Sequence, residues 1–202
     1  MKFNPALHNR HSIRLSEYDY TRSGAYFVTI CTANREPLFG RIVEGAMFLN
    51  ELGAVVLECW EWLSKQYSYV TLDTSILMPN HLHGIIVVNE DDFVKGGSRT
   101  APTIFPRRKP LGRLVGAFKT VSTKQINKVR QTPGFILWQR NYYEHIIRNE
   151  NSLNKIRKYV LSNPLIWGFD PENPDVPSNQ RSREKGASFE KTFFDELKKS
   201  KL

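Results

Sequence analysis

The chain has 202 residues, 40% of them hydrophobic, and a formal net charge of +9 from 29 basic and 20 acidic side chains. That length supports one domain with a real core. The absence of any run of roughly 18 apolar residues, and of an apolar segment near the start, predicts neither a membrane span nor a secretory signal. The two cysteines, Cys31 and Cys59, lie far apart, so they read as buried free thiols in a reducing cytosol rather than as a zinc site.

Residues 1–22 are polar and read as an irregular arm. "AYFVTICT" (25–32), β-branched and aromatic, reads as a strand. From Asn50, a fair N-cap, Leu52, Val55, Val56, Cys59, Trp60 and Leu63 recur at helical spacing. "VTLDTSILM" (70–78) and, after a Pro79–Asn80 turn, "HLHGIIVV" (81–88) read as two further strands. Residues 89–110 are rich in Gly, Ser, Thr, Pro and positive charge and read as a flexible basic insertion. Next comes an amphipathic helix over 111–130, with Leu111, Leu114, Val115 and Phe118 on one face and Arg113, Lys124 and Lys128 on the other. "FILWQRNYYEHIIR" (135–148) is a candidate fourth strand, and "SLNKIRKYVLSNP" (152–164) a helix stopped by Pro164. Residues 170–202 form a polar, Pro-rich tail with a possible short helix at its end, so the main domain is drawn as 1–169. The first six elements run βαββαβ. That order predicts a ferredoxin-like α+β sandwich, with an antiparallel sheet, helices on one face and a further C-terminal helix.

Charge is unevenly distributed. Between Asp92 and Glu144 there is no acidic residue, yet eleven basic ones: Lys95, Arg99, Arg107, Arg108, Lys109, Arg113, Lys119, Lys124, Lys128, Arg130 and Arg140. A block of one sign is the footprint of a polyanion, most often nucleic acid; a solvated basic loop is the plainer explanation.

The segment "MPNHLHGI" places His81 and His83 at i and i+2 of a strand, so both imidazoles project to one face. Two imidazoles so held can ligate one divalent metal if a third group comes from elsewhere. On the last core helix Leu153, Ile156 and Val160 mark the buried stripe, and Tyr159 and Asn163, at i and i+4, neighbour each other on its flank. Asn163 precedes a proline and so is expected at a frayed helix end. A tyrosine hydroxyl, with a pKa near ~10, is a poor nucleophile at neutral pH. A nearby cation that polarises a phosphodiester would make it a competent one. Tyr142 and Tyr143 are alternatives by composition.

Taken in order, "MPNHLHGI", "LWQRNYYEHIIRNE" and "YVLSNP" resemble the single-tyrosine HUH transposases, and more closely their REP-associated tyrosine transposase branch; the likeness spans about residues 10–168. The resemblance implies a nucleophilic Tyr159 and an Mg²⁺ or Mn²⁺ ion held by His81, His83 and Asn163. The implied substrate is single-stranded DNA beside a palindromic hairpin, cut through a 5′-phosphotyrosine. A cytoplasmic, nucleoid-associated protein is expected, acting as a monomer or a homodimer. Arg107, Arg108, Lys109, Arg113, Lys124, Lys128, Arg140 and Arg148 are the candidate nucleic-acid contacts. Trp138, Tyr142, Tyr143 and Phe105 are candidate base-stacking groups, and His145 stands among the groups near the site. The rival reading is a non-catalytic, domesticated hairpin-binding protein, which would need none of His81, His83, Tyr159 or Asn163.

Overall fold

The computed structural model describes residues 18–90, 108–170 and 172–176. Its elements are β1 (Gly24–Cys31), β2 (Gly40–Val43), β3 (Ala46–Leu49), α1 (Glu51–Gln66), β4 (Val70–Leu77), β5 (His81–Val88), α2 (Leu111–Arg130), β6 (Tyr143–Ile147) and α3 (Glu150–Ser162), followed by a 3₁₀ segment, Asn163–Phe169. Four strands form one antiparallel sheet in the order β4-β5-β1-β6. This is the ferredoxin-like order expected from the sequence. The long connections let the first strand sit beside the third and fourth core strands, not beside its own successor.

The two-residue period of a strand sorts β1 and β5 into two faces. Tyr26, Val28, Ile30, Leu82 and Ile86 pack with Trp60, Leu63, Leu114 and Phe118 from α1 and α2. Phe27 and Ile85 pack on the other side with Ile156, Tyr159 and Val160 of α3. Both faces of the central strands are therefore covered, which is why β5 is buried almost throughout. Gly84 is required on the α1 face. A Cβ there would lie 2.4 Å from Cζ2 of Trp60, so the indole occupies the place of a side chain.

Asn50 caps α1 as expected, accepting from the Gly53 amide at 2.9 Å, a contact worth about 1 kcal/mol. Asn149 caps α3 in the same way through Ser152 N at 2.8 Å.

Two features depart from the sequence reading. A β2–β3 hairpin, turning at Glu44 (φ 50°) and Gly45 (φ 74°), precedes α1 where no strands were expected. Both its strands are half exposed, so hydrophobic alternation barely marks them. The fourth core strand is also shorter, 143–147 rather than 135–148. Leu137 and Trp138 are adjacent and both buried, which the alternation of a one-sided strand forbids. This stretch keeps only an isolated bridge to the end of β1, Thr32 to Trp138, with the Ala33 and Gln139 amides donating to the Leu137 and Cys31 carbonyls at 2.9 Å, and Nζ of Lys119 gathers the carbonyls of Gln139 and Asn141, each at 2.9 Å. Trp138 is thus a core residue, its indole N–H donating to Ser122 Oγ at 2.8 Å, and not a platform for bases. Lys119 is likewise occupied as a loop clip, and burial pushes its ammonium down to about 8. Phe105, Arg107 and the possible C-terminal helix lie outside the described residues.

Candidate active site

β5 delivers His81 and His83 to the α3 face of the sheet. His83 pairs in register with Thr29, and His81 with Cys31, the last residue of β1. The two Nε2 atoms face each other at 3.0 Å. On its other nitrogen, Nδ1, His83 meets Thr29 Oγ1 at 2.8 Å. His81 Nδ1 meets Asn80 Oδ1 at 2.9 Å.

The Asn80 contact determines a tautomer. Asn80 Nδ2 donates to the carbonyls of Arg35 (3.0 Å) and Glu172 (2.6 Å), so its oxygen must face His81. An amide oxygen only accepts, so His81 Nδ1 carries the proton and Nε2 presents a lone pair toward His83. The Arg35 carbonyl reaches Asn80 because Asn34 and Arg35 adopt left-handed backbone at φ 54° and 59°, a conformation uncommon for side chains of this size. Burial keeps both imidazoles neutral. It pushes His81 well below its ordinary range, the neighbouring His83 adding to the effect, and takes His83 down to about 3 against an opposing hydrogen bond that its ring makes to Asn163.

Tyr159 packs beside this pair. Its ring centroid lies 5.3 Å from that of His83 and 6.0 Å from that of Phe27. Asn163 follows one turn later. It is buried and helical (φ −54°, ψ −43°), its Nδ2 directed at the Tyr159 carbonyl at 3.3 Å. The expected fraying does not occur, because the 3₁₀ segment continues the turn beyond Pro164 and seats Asn163 against the sheet.

Structure thus brings together His81, His83, Tyr159 and Asn163, from two elements 76 positions apart between His83 and Tyr159 (159 − 83). It adds groups that pattern reading missed. Thr29 and Asn80 orient the imidazoles, and the buried Asp170 places a carboxylate oxygen 3.7 Å from His81 Nε2. No grouping of three or more His, Cys, Asp or Glu suited to a metal occurs among the described residues. The groups gathered here that could ligate a cation are the two imidazoles, the Asn163 amide and the Asp170 carboxylate. Residues 172–176 continue the packing around this end of the sheet, with Glu172 bound to Arg35 at 2.8 Å. Both cysteines are free; Cys59 is buried, Cys31 half-buried with its thiol against Glu172.

The basic candidates lie elsewhere. Arg108, Lys109 and Arg113 line one groove at the start of α2. Lys124 and Lys128 are exposed further along the same helix, and Arg140 and Arg148 are exposed just before and just after β6. Tyr142 and Tyr143 are half-buried, the first beneath Lys119 Nζ at 5.4 Å, the second edge-on to Phe27. His145 pairs with Phe27 on β1.

No family model matches the chain. An uncharacterized protein of Haemophilus influenzae is 42% identical over 176 residues, spanning 84% of this chain and 96% of its own length. A second H. influenzae protein, named "Putative REP-associated tyrosine transposase", is 27% identical over 170 residues, covering 82% of this chain and 84% of the relative. Among solved structures, a REP-associated tyrosine transposase bound to a REP hairpin superposes with a TM-score of 0.54 at 16% identity, covering 83% of this chain and 81% of that one. Sheet order and superposition define a protein of the transposase fold. In sequence it is similar to a putative REP-associated tyrosine transposase, and in fold to a solved one.

Proposed function

We propose that the chain cleaves single-stranded DNA beside a palindromic hairpin and rejoins the strand, with Tyr159 as nucleophile. The observation that carries this reading is the placement of Tyr159 and Asn163 against a pair of neutral imidazoles whose Nε2 atoms converge at 3.0 Å. That spacing suits two neighbouring ligands on one ion with bonds of about 2.1 Å. His81, His83 and Asn163 would hold Mg²⁺ or Mn²⁺, which when bound polarises the scissile phosphodiester and stabilises charge on its oxygens. Asn80 and Thr29 hold the imidazoles in the orientation this requires. The Tyr159 oxygen forms a bond to phosphorus as the phenol loses its proton. The P–O3′ bond breaks, and the leaving oxygen takes up a proton as a free 3′-OH. The covalent 5′-phosphotyrosine keeps the bond energy for re-attack by a 3′-OH, so strands are joined without hydrolysis.

DNA hairpin recognition by this chain is inferred from the hairpin-bound relative together with the basic surface of α2. One observation favours the rival, a hairpin-binding protein that does not cut: Tyr159 is only 2% exposed and His81 0%. Cleavage therefore requires the site to open to a DNA strand.

A denaturing gel separates the two. Labelled single-stranded DNA carrying the neighbouring palindrome is incubated with protein and Mn²⁺, or with chelator. Wild type is expected to give a metal-dependent band shifted by the mass of the protein, and Tyr159→Phe to lose it while retaining hairpin binding. Undiminished cleavage by Tyr159→Phe would remove the nucleophile assignment. Binding with no adduct under any condition would leave the non-cutting protein.

A further inference from the structure

Two imidazoles and the Asn163 amide offer a dication no negative charge, and all three side chains are buried. Mg²⁺ and Mn²⁺ prefer oxygen ligands, and a buried charge without a counter-charge is costly. Among the described residues, the carboxylate that meets this pair is the buried Asp170, its Oδ2 lying 3.7 Å from His81 Nε2. The side of the ring decides what that contact means. A carboxylate that merely orients a metal-binding histidine takes the proton of the nitrogen turned away from the ion. On His81 that nitrogen is Nδ1, and Asn80 already holds it at 2.9 Å. Asp170 instead faces Nε2, whose lone pair points inward at His83 Nε2, 3.0 Å away. A lone pair and a carboxylate oxygen repel unless a positive centre lies between them. Two atoms bound to one ion at about 2.1 Å can stand up to about 4.2 Å apart, and 3.7 Å falls inside that limit. The carboxylate stands off the pair, short of a ready-made grouping of three, and would close on it with an ion between.

The turn carrying Asp170 is fixed to the same side chain that orients His81. Asp170 Oδ1 accepts from the Glu172 amide at 2.7 Å. The Glu172 carbonyl accepts from Asn80 Nδ2 at 2.6 Å, while Asn80 Oδ1 accepts from His81. Arg35 holds the Glu172 carboxylate at 2.8 Å and so braces the turn from outside. With Oδ1 engaged on its own turn, Oδ2 is the oxygen turned to the imidazole.

We propose that Asp170 is a direct ligand of the divalent cation, beside His81, His83 and Asn163, and brings the negative charge that imidazole and amide lack. The presence of a cation rests on the proposed function; the choice of Asp170 rests on which imidazole nitrogen it faces. The test titrates Mn²⁺ into the full chain by calorimetry and follows Co²⁺ by its visible absorption, for wild type, Asp170→Asn and His81→Gln. Asp170→Asn keeps an oxygen for the Glu172 amide, so its circular dichroism should match wild type. It should bind Mn²⁺ about tenfold or more weakly and change the Co²⁺ spectrum, which follows the atoms bound to the ion. Mn²⁺ binding equal to wild type or tighter, with an unchanged Co²⁺ spectrum, would overturn the proposal and make the carboxylate a structural group or a competitor of the ion. In that case loss of binding in His81→Gln would leave the histidine site standing. Wild-type binding that is absent, or indifferent to His81→Gln, would instead remove the cation of the proposed function and this ligand with it. The wild-type chain gives a second reading that needs no variant to fold. Difference infrared spectra of protein carrying isotope-labelled aspartate should show a carboxylate stretch that moves on Mn²⁺ binding, and the absence of any moving band would overturn the proposal.

Discussion

Asn80 shows how a side chain outside the expected set can govern it. His81 and His83 were legible because a strand repeats every two residues, so H-x-H alone put both rings on one face. Asn80 read only as part of a turn. Its role depends on carbonyls 45 and 92 positions away, from Arg35 and Glu172, which no local pattern relates to it. Groups that orient a ligating imidazole typically carry 10–100-fold in metal affinity. Asn80→Ala is therefore expected to lower Mn²⁺ affinity by about that factor, measured by titration calorimetry on the purified protein, with the far-ultraviolet circular dichroism unchanged. Affinity equal to wild type would mean that His81 does not ligate through Nε2. Asp170 was hidden for a related reason. It falls at the head of a segment read as a polar tail, yet the chain turns back and buries it beside His81.

Helix α3 carries the nucleophile candidate, and its seating is an ion pair as much as a hydrophobic stripe. Arg157 Nε and Nη2 bond the two carboxylate oxygens of Asp73 at 2.9 and 2.6 Å, tying α3 to edge strand β4 at the irregularity between Leu72 and Ser75. The hydrogen bond from Arg157 holds the Asp73 carboxyl well below the usual carboxylate range. A depressed carboxylate contributes stability that is complete above the unfolded pKa near ~3.9 and is lost as pH falls through the folded value. The pair is partly solvent-exposed, so its contribution at neutral pH is about 0.5–1 kcal/mol after screening. Asp73→Asn should lower the unfolding free energy read from urea titration at pH 7 by about 0.5–1 kcal/mol, and its curve of stability against pH should converge with wild type as pH drops below about 4. Parallel curves down to acid pH would show the pair to be energetically silent. The apolar periodicity of α3 predicted its helix and buried side well, because 3.6-residue spacing is local. Its anchor could not be read, because Asp73 lies 84 positions earlier on another strand.

The domain buries its central strands twice, under α1 and α2 on one face and α3 on the other. The β2–β3 hairpin stands apart as a two-stranded sheet with Phe48 55% exposed. Isolated two-stranded ribbons are marginal in water, and opening free energies follow local burial. Amide hydrogen exchange is accordingly expected to be slowest in β1 and β5 and to reach the hairpin well before them. A hairpin protected as strongly as β5 would show that it unfolds only with the whole domain. No helix among the described residues is long and apolar enough to cross a membrane. Among the described residues, α2 carries basic side chains from Arg113 to Arg130 and no acidic one.

Composition, periodicity and residue order determined that this chain makes a βαββαβ core, that two histidines share a strand face, and that Tyr159 and Asn163 share a helix flank. All of these are consequences of repeats of two or 3.6 residues and of caps spanning three or four positions. Tertiary structure alone decided which sheet face receives α3, which nitrogen of His81 looks inward, and that Trp138 and Lys119 serve the core and a loop instead of a nucleic acid. It also placed the basic helix α2 and the tyrosine site on opposite faces of one sheet. The physical reason is the same in each case: strand pairing, burial and hydrogen-bond satisfaction join residues tens of positions apart, and no local pattern encodes which of them will meet.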